Sequence, residues 1–88
     1  MTLRIETASD GQTATLRLIG RVGSEYLGEL QSQLRKHRPQ LVLDLDEVTL
    51  VDVAVVRFLI VCEAEGVELL HCPPYIREWM DRERRREE

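Results

Sequence analysis

The sequence has few aromatic residues, little glycine or proline, and no excess of positive charge. Only 5% of its 88 residues are aromatic while 43% are hydrophobic, so the core must be built from Leu, Val and Ile, which suits a sheet covered by helices. Five glycines and three prolines are too few for a disordered chain. The formal net charge of -4 argues against nucleic-acid binding, because neutralising phosphates requires a basic excess.

Long apolar segments and metal-ligand patterns are also missing. No window approaches the roughly 20 apolar residues of a membrane-spanning helix, and the first residues lack the apolar core of a signal peptide, so we expect a cytoplasmic protein without membrane insertion. Cys62 and Cys72 do not resemble a secreted disulfide framework, and we expect two free thiols. Together with His37 and His71 they match no metal-ligand spacing, so the sequence predicts no metal or cofactor.

What the sequence does contain is an ordered succession of strand and helix patterns. Alternating apolar residues predict a hairpin of strands near residues 3–6 and 13–22. Further signals predict a helix over 24–37 with Ser24 as its N-cap, a strand over 41–45, a helix over 53–65, a strand over 67–71 and a helix from 75 to about 85. The order β-β-α-β-α-β-α predicts one small α/β domain over residues 1–88 with a mixed four-stranded sheet.

The carboxyl-terminal end is highly charged. In residues 82–88 arginines alternate with acids, so the local field largely cancels, and we expect a solvated, frayed helix end. The i,i+4 spacing of Glu78 with Arg82 and of Asp81 with Arg85 predicts two ion pairs on the exposed side of this helix.

The most informative segment is the run over 41–62, LVLDLDEVTLVDVAVVRFLIVC. It predicts a buried strand, an acidic turn and a buried helix, with Asp52 capping the amino end of that helix. No Ser, Thr, Cys or His lies in the first helical turn, so this end offers neither a nucleophile nor a phosphate acceptor. At about 100° per residue, one narrow side of the helix carries Ala54, Arg57, Val61 and Glu65. That side is either an ordinary surface strip or a surface that docks another protein.

This run resembles the STAS domain of anti-sigma-factor antagonists. Asp44 in the acidic-ended strand LVLDL and Asp52 before the apolar helix occupy the aspartate positions of an LxLDLsxVxxxDSSGL type of motif. The resemblance extends over the hairpin, Gly20, the first helix and the strand before the last helix. It implies a switch protein that binds a kinase-type anti-sigma factor through the second helix and the loop before it. The partner-binding residues would then be Asp52, Val53, Ala54, Arg57 and Val61.

The sequence departs from that motif where the resemblance places the phosphoacceptor. Ala54 stands at the serine position, Val53 replaces a second serine and Val55 replaces the glycine, so phosphorylation at Ala54 is impossible. Two explanations fit. The domain is locked in its partner-competent form, or it is an adaptor subunit of a lipid-transport or stress-signalling assembly that recognises an ATPase or a sibling STAS domain.

The acidic residues raise a third possibility. We expect Asp44, Asp46, Glu47 and Asp52 around one end of the sheet, where carboxylates can hold magnesium or bind a nucleotide or small ligand. The chain has no glycine-rich phosphate loop, no lysine other than Lys36 and no nearby nucleophile, so we do not expect an enzyme. Homodimerisation through Val61 or through the Trp79 helix stays open.

Overall fold

The structure, a computed structural model, describes residues 3–37 and 40–86. Within these residues the strands are β1 (Arg4–Ser9), β2 (Ala14–Val22), β3 (Leu41–Val51) and β4 (Glu68–Leu70). The α-helices are α1 (Leu27–His37), α2 (Val53–Ala64) and α3 (Pro74–Arg86), and a 3-10 helix over Ser24–Tyr26 precedes α1. The predicted order of strands and α-helices is confirmed.

The four strands form one mixed sheet in the order β1-β2-β3-β4. The hairpin β1/β2 is antiparallel, and β2/β3 and β3/β4 are parallel, as the sequence predicts. The parallel strands β2, β3 and β4 lie side by side in chain order, and the strand-helix-strand connections between them are right-handed. The helices α1 and α2 therefore lie on the same face of the sheet. The result is a two-layer domain with one sheet face covered by helices.

One hydrophobic core lies between the sheet and the helices. Alternate residues of β2 and β3 point into it, and each helix contributes to it. The side chains that are almost completely buried are Leu16, Leu18, Val22, Leu30, Leu43, Leu45, Val55, Val56, Leu59, Cys62, Ile76 and Met80. With so few aromatic residues, these aliphatic side chains form the core, in agreement with the composition.

Strand β3 is longer than the sequence predicts, and the expected acidic turn DEVTLVD over 46–52 is wrong for residues 46–51. These residues continue the strand and pair with β2 as far as Val51. Two register shifts between β2 and β3 give β3 extra residues, so Val48 is buried although Asp46 and Glu47 are exposed. A single residue, Asp52, therefore connects β3 to α2, and no loop precedes the helix.

Two helix ends also differ from expectation. Ser24 is not the N-cap of α1, because a 3-10 helix capped by Gly23 comes first. The last helix runs to Arg86, so residues 82–86 of the expected frayed end are helical, and within them Glu83 is buried and Arg84 bonds to Glu63 of α2. The rest of the expected frayed end, residues 87 and 88, lies outside the described residues. Pro39, which the sequence places after α1, also lies outside them.

Candidate functional site

The amino end of α2 is fixed by one carboxylate. Asp52 Oδ1 accepts a hydrogen bond from the Val55 amide at 3.0 Å, and Oδ2 accepts one from the Ser24 amide at 2.8 Å. The predicted N-cap is confirmed, and the same side chain also ties the segment before α1 to α2. Burial acts to raise the pKa of Asp52, but these hydrogen bonds outweigh it and hold the pKa below its ordinary value.

Apolar side chains surround this capped end and face solvent. Leu50 at the end of β3 is 60% exposed, Val53 in the first turn of α2 is 39% exposed, and Tyr75 in the first turn of α3 is 44% exposed. The Tyr75 hydroxyl donates a hydrogen bond to the Thr49 carbonyl oxygen at 2.8 Å, which holds α3 against the end of β3. We call Leu50, Asp52, Val53, Ala54 and Tyr75 the docking surface.

The structure separates the five partner-binding residues predicted from the sequence. Asp52, exposed Val53 and half-buried Ala54 lie together at the amino end of α2. Val61 is 53% exposed but lies two turns away, about 12 Å along the helix, where it lines a groove of about 280 Å³ between α1 and α2. Arg57 is exposed but is bonded to α3. Whether these residues contact a partner stays a prediction.

The sequence did not reveal Leu50 and Tyr75 as members of this surface. Leu50 falls in the predicted turn, and its exposure depends on the register shifts that turn it away from the core. Tyr75 follows two prolines, and these predict only that a helix starts there. Its position beside β3 depends on a tertiary contact, the hydrogen bond to Thr49, which the sequence does not reveal. A helical projection of α2 alone therefore finds only part of the surface.

The flank of α2 that faces α3 is held by ion pairs. Arg57 Nε lies 3.1 Å from Glu83 Oε1, and the Glu83 side chain is only 7% exposed. Farther along, Glu63 accepts hydrogen bonds at 2.9 Å from Arg77 and from Arg84. Burial acts to raise the pKa of Glu63, but the two arginines outweigh it and hold that pKa below its ordinary value. These contacts fix α3 against α2.

Only part of the expected acidic cluster forms, because Asp44 and Glu47 lie beside the same Arg17 side chain while Asp52 lies apart from them. Asp44 lies on the uncovered face of the sheet, where its Oδ1 is 3.2 Å from His71 Nδ1 and its Oδ2 is 3.9 Å from Arg17 Nε. Asp52 follows eight residues later, about 25 Å away along an extended strand. Among the described residues, no group of three or more His, Cys, Asp or Glu could hold a metal ion. The prediction that all four carboxylates share one end of the sheet is wrong for Asp52, because β3 runs on to Val51.

The two cysteines are free thiols, as predicted. Cys62 packs in the core, where burial raises its pKa to about 12. Cys72 is half-buried, and burial raises its pKa as well. Because the thiolate is the reactive form, neither side chain is activated as a nucleophile.

Fold and site together define a small α/β domain of the STAS type. The family model described as "Mlab, STAS domain" matches residues 5–81, and the chain belongs to this family. STAS domains are in general non-catalytic regulatory or interaction domains. None of the curated proteins compared with the chain matches it. In the described part of the chain, every helix is too short or too polar to cross a membrane.

Proposed function

We propose that this chain is a non-catalytic docking domain that binds a protein partner through the docking surface. The observation that carries the proposal is the exposure of Leu50, Val53 and Tyr75 around a helix end that Asp52 holds rigid. Exposed apolar side chains gathered in one place are a feature of binding sites. A backbone that is already fixed loses little entropy when a partner binds.

Docking at this surface is not switched by phosphorylation of α2. Ala54 lies between the cap and the rest of the helix and has no hydroxyl. A phosphoserine there would add up to about two negative charges beside the Asp52 carboxylate. Ala54 cannot carry that group, so phosphorylation at this position cannot block the binding of a partner to the docking surface.

Two candidate partners are proposed. The STAS resemblance supports a kinase-type anti-sigma factor, and the chain would then be a permanently active antagonist. The second candidate is the ATPase subunit of a lipid-transport or stress-signalling assembly, with the chain as adaptor. The matching family model is named Mlab and not after an anti-sigma-factor antagonist, which favours this second candidate.

Affinity capture from the native host tests the proposal. Val53→Asp places a charge in the centre of the docking surface, while an acid in the first turn of α2 suits the helix dipole and preserves the fold. We expect the variant to recover at least about tenfold less partner than the unmodified chain, a loss of about 1.4 kcal/mol.

The matched control is Ser32→Asp, which adds the same charge to an exposed position of α1. Equal recovery by Val53→Asp and the unmodified chain would refute the proposed surface, and so would an equal loss in Ser32→Asp. Mass spectrometry of the captured partner then separates the two candidates. A histidine-kinase-like ATPase supports the antagonist role, and a transporter ATPase supports the adaptor role.

A further inference from the structure

Four residues of α3 form a stripe along one side of the helix. Tyr75, Trp79, Arg82 and Arg86 are spaced by four, three and four residues, so they share one face. Trp79 is half-buried, and the two arginines are exposed. A cleft of about 240 Å³ opens between Trp79, Arg82, Glu83 and Arg86.

The positive charge of the cleft is only partly neutralised by the carboxylates of residues 3–37 and 40–86. Its carboxylate, Glu83, is already bonded to Arg57 at 3.1 Å and lies 3.8 Å from Arg86. The predicted pair of Arg82 with Glu78 is wrong, and within residues 3–37 and 40–86 no carboxylate lies within ion-pair distance of Arg82. Arg82 and Arg86 are one helical turn apart and repel each other. Although the sequence predicts that the field of residues 82–88 largely cancels, the face of α3 that carries Arg82 and Arg86 has more positive charge than Glu83 offsets, on a chain whose net charge is -4.

We propose that this stripe binds an acidic segment of a partner protein, with one of its carboxylates in the cleft. The planar guanidinium of Arg82 matches a carboxylate in a two-point hydrogen-bonded pair. An anion between Arg82 and Arg86 relieves their mutual repulsion. Tryptophan, tyrosine and arginine are also the residue types most enriched where proteins bind each other tightly.

The same features disfavour a membrane surface as the occupant. A helix that lies in a lipid interface needs a free apolar face. In α3 that face carries Ile76 and Met80, which are completely buried in the core. Apart from Tyr75, the stripe offers only arginines and a half-buried tryptophan, which is little apolar surface to insert. An acidic protein segment fits what is exposed.

This inference is independent of the proposed docking at α2. The stripe adjoins the docking surface at Tyr75, so one partner can reach both surfaces. The acidic segment is nevertheless recognised by Arg82, Arg86 and Trp79, and its binding is measurable with a synthetic peptide. Failure of one proposal therefore leaves the other standing.

The test uses Trp79, the chain's single tryptophan, as the reporter. The whole chain is titrated with an acetylated, amidated peptide EDLEELDEEL, which lacks tryptophan, and with the peptide in which every Glu and Asp is replaced by Gln or Asn. We expect the acidic peptide to change Trp79 fluorescence saturably at about 50 mM salt and to bind several-fold more weakly at about 300 mM. The neutral peptide is expected to leave the fluorescence unchanged.

Two variants with the same change of charge localise the binding. Arg82→Gln removes an arginine of the cleft and is expected to weaken peptide binding about fivefold or more. Arg85→Gln removes an exposed arginine that lies outside the stripe, and its effect is expected to stay below about twofold. Circular dichroism checks that both variants keep the fold.

Three results would overturn the proposal. The first is the absence of a saturable change with the acidic peptide, and the second is equal binding of the neutral peptide. The third is a loss of peptide binding in Arg85→Gln as large as that in Arg82→Gln, which would mean that the overall charge of the chain attracts the peptide and that no specific site exists. Vesicles of phosphatidylglycerol and phosphatidylcholine are tested in parallel. Binding to the vesicles without binding to the peptide assigns the stripe to a lipid surface and also contradicts the proposal.

Discussion

The amino end of α2 and the flank of α2 that faces α3 are held in different ways. At the amino end one carboxylate, Asp52, fixes the backbone, while the apolar side chains of Leu50 and Val53 remain in solvent. On the flank, ion pairs from Glu63 and Arg57 to α3 cover the helix, and the chain supplies both partners of each pair.

This difference separates surface available to a partner from surface that is already used. A partner that bound Arg57 on the flank would have to displace the buried carboxylate of Glu83, at a considerable cost. A partner at the amino end displaces only water from apolar side chains, which is favourable. The comparison therefore supports a stabilising role for the flank and the docking proposed at the amino end.

The largest expected effect comes from breaking the flank at Arg57. Arg57→Ala leaves the Glu83 carboxylate, 7% exposed, without its nearest cation. We expect a loss of about 3 kcal/mol in the free energy of unfolding, at the lower end for broken buried pairs because Arg86 lies 3.8 Å from the same carboxylate. Urea denaturation followed by circular dichroism measures it.

Glu83→Gln is the control for that prediction. It removes the buried charge and leaves an exposed Arg57 that water solvates, so the loss is expected to stay below about 1 kcal/mol. Equal losses in Arg57→Ala and Glu83→Gln would mean that burial of the carboxylate does not govern this contact.

The next effect concerns the cap at the amino end. Asp52→Ala removes the acceptor for the Val55 and Ser24 amides, and we expect a loss of about 2 kcal/mol in the free energy of unfolding. Asp52→Asn keeps an oxygen for the cap and is expected to lose less than about 1 kcal/mol. A loss from Asp52→Ala no larger than that from Asp52→Asn would show that the cap does not fix this end.

The cap also predicts a dependence on pH. Because the pKa of Asp52 is lowered in the folded chain, its ionised form stabilises the fold fully above the unfolded-state pKa of about 3.9. That contribution is lost as the pH falls through the lowered folded-state pKa. The difference in stability between the unmodified chain and Asp52→Asn should therefore be constant near neutral pH and shrink below about pH 4. A difference that grows on acidification would contradict this assignment.

The smallest effect is expected where Glu63 of α2 pairs with Arg77 and Arg84 of α3. Glu63 is about a third exposed (33%), and its arginine partners are 38% and 45% exposed, so water and salt screen the contact. Glu63→Gln should cost about 0.5 kcal/mol, and the cost should decrease further at high salt. Thermal unfolding at two salt concentrations measures this loss of stability. A loss above about 2 kcal/mol would contradict the prediction, because the Glu63 contacts would then stabilise the fold nearly as much as the contact between Arg57 and Glu83.

The sequence predicted the order of elements, the mixed sheet and the cap, because each follows from local patterns. The spacing of apolar residues identifies α2, and an aspartate directly before it predicts Asp52 as its N-cap. The sequence did not predict the length of β3, since Asp46 and Glu47 look like a turn unless the register shifts against β2 are known. Nor did it predict the burial of Glu83, because its partner Arg57 lies 26 residues away in the chain.

Photo-crosslinking in the native host tests the central claim most directly. A benzoylphenylalanine is placed in turn at position 50, at position 53 and, as a control on α1, at position 32. The account predicts that positions 50 and 53 crosslink to the same protein and that position 32 does not. Crosslinks from position 32 alone, or none from positions 50 and 53 while the partner is still captured, would contradict docking at the amino end of α2.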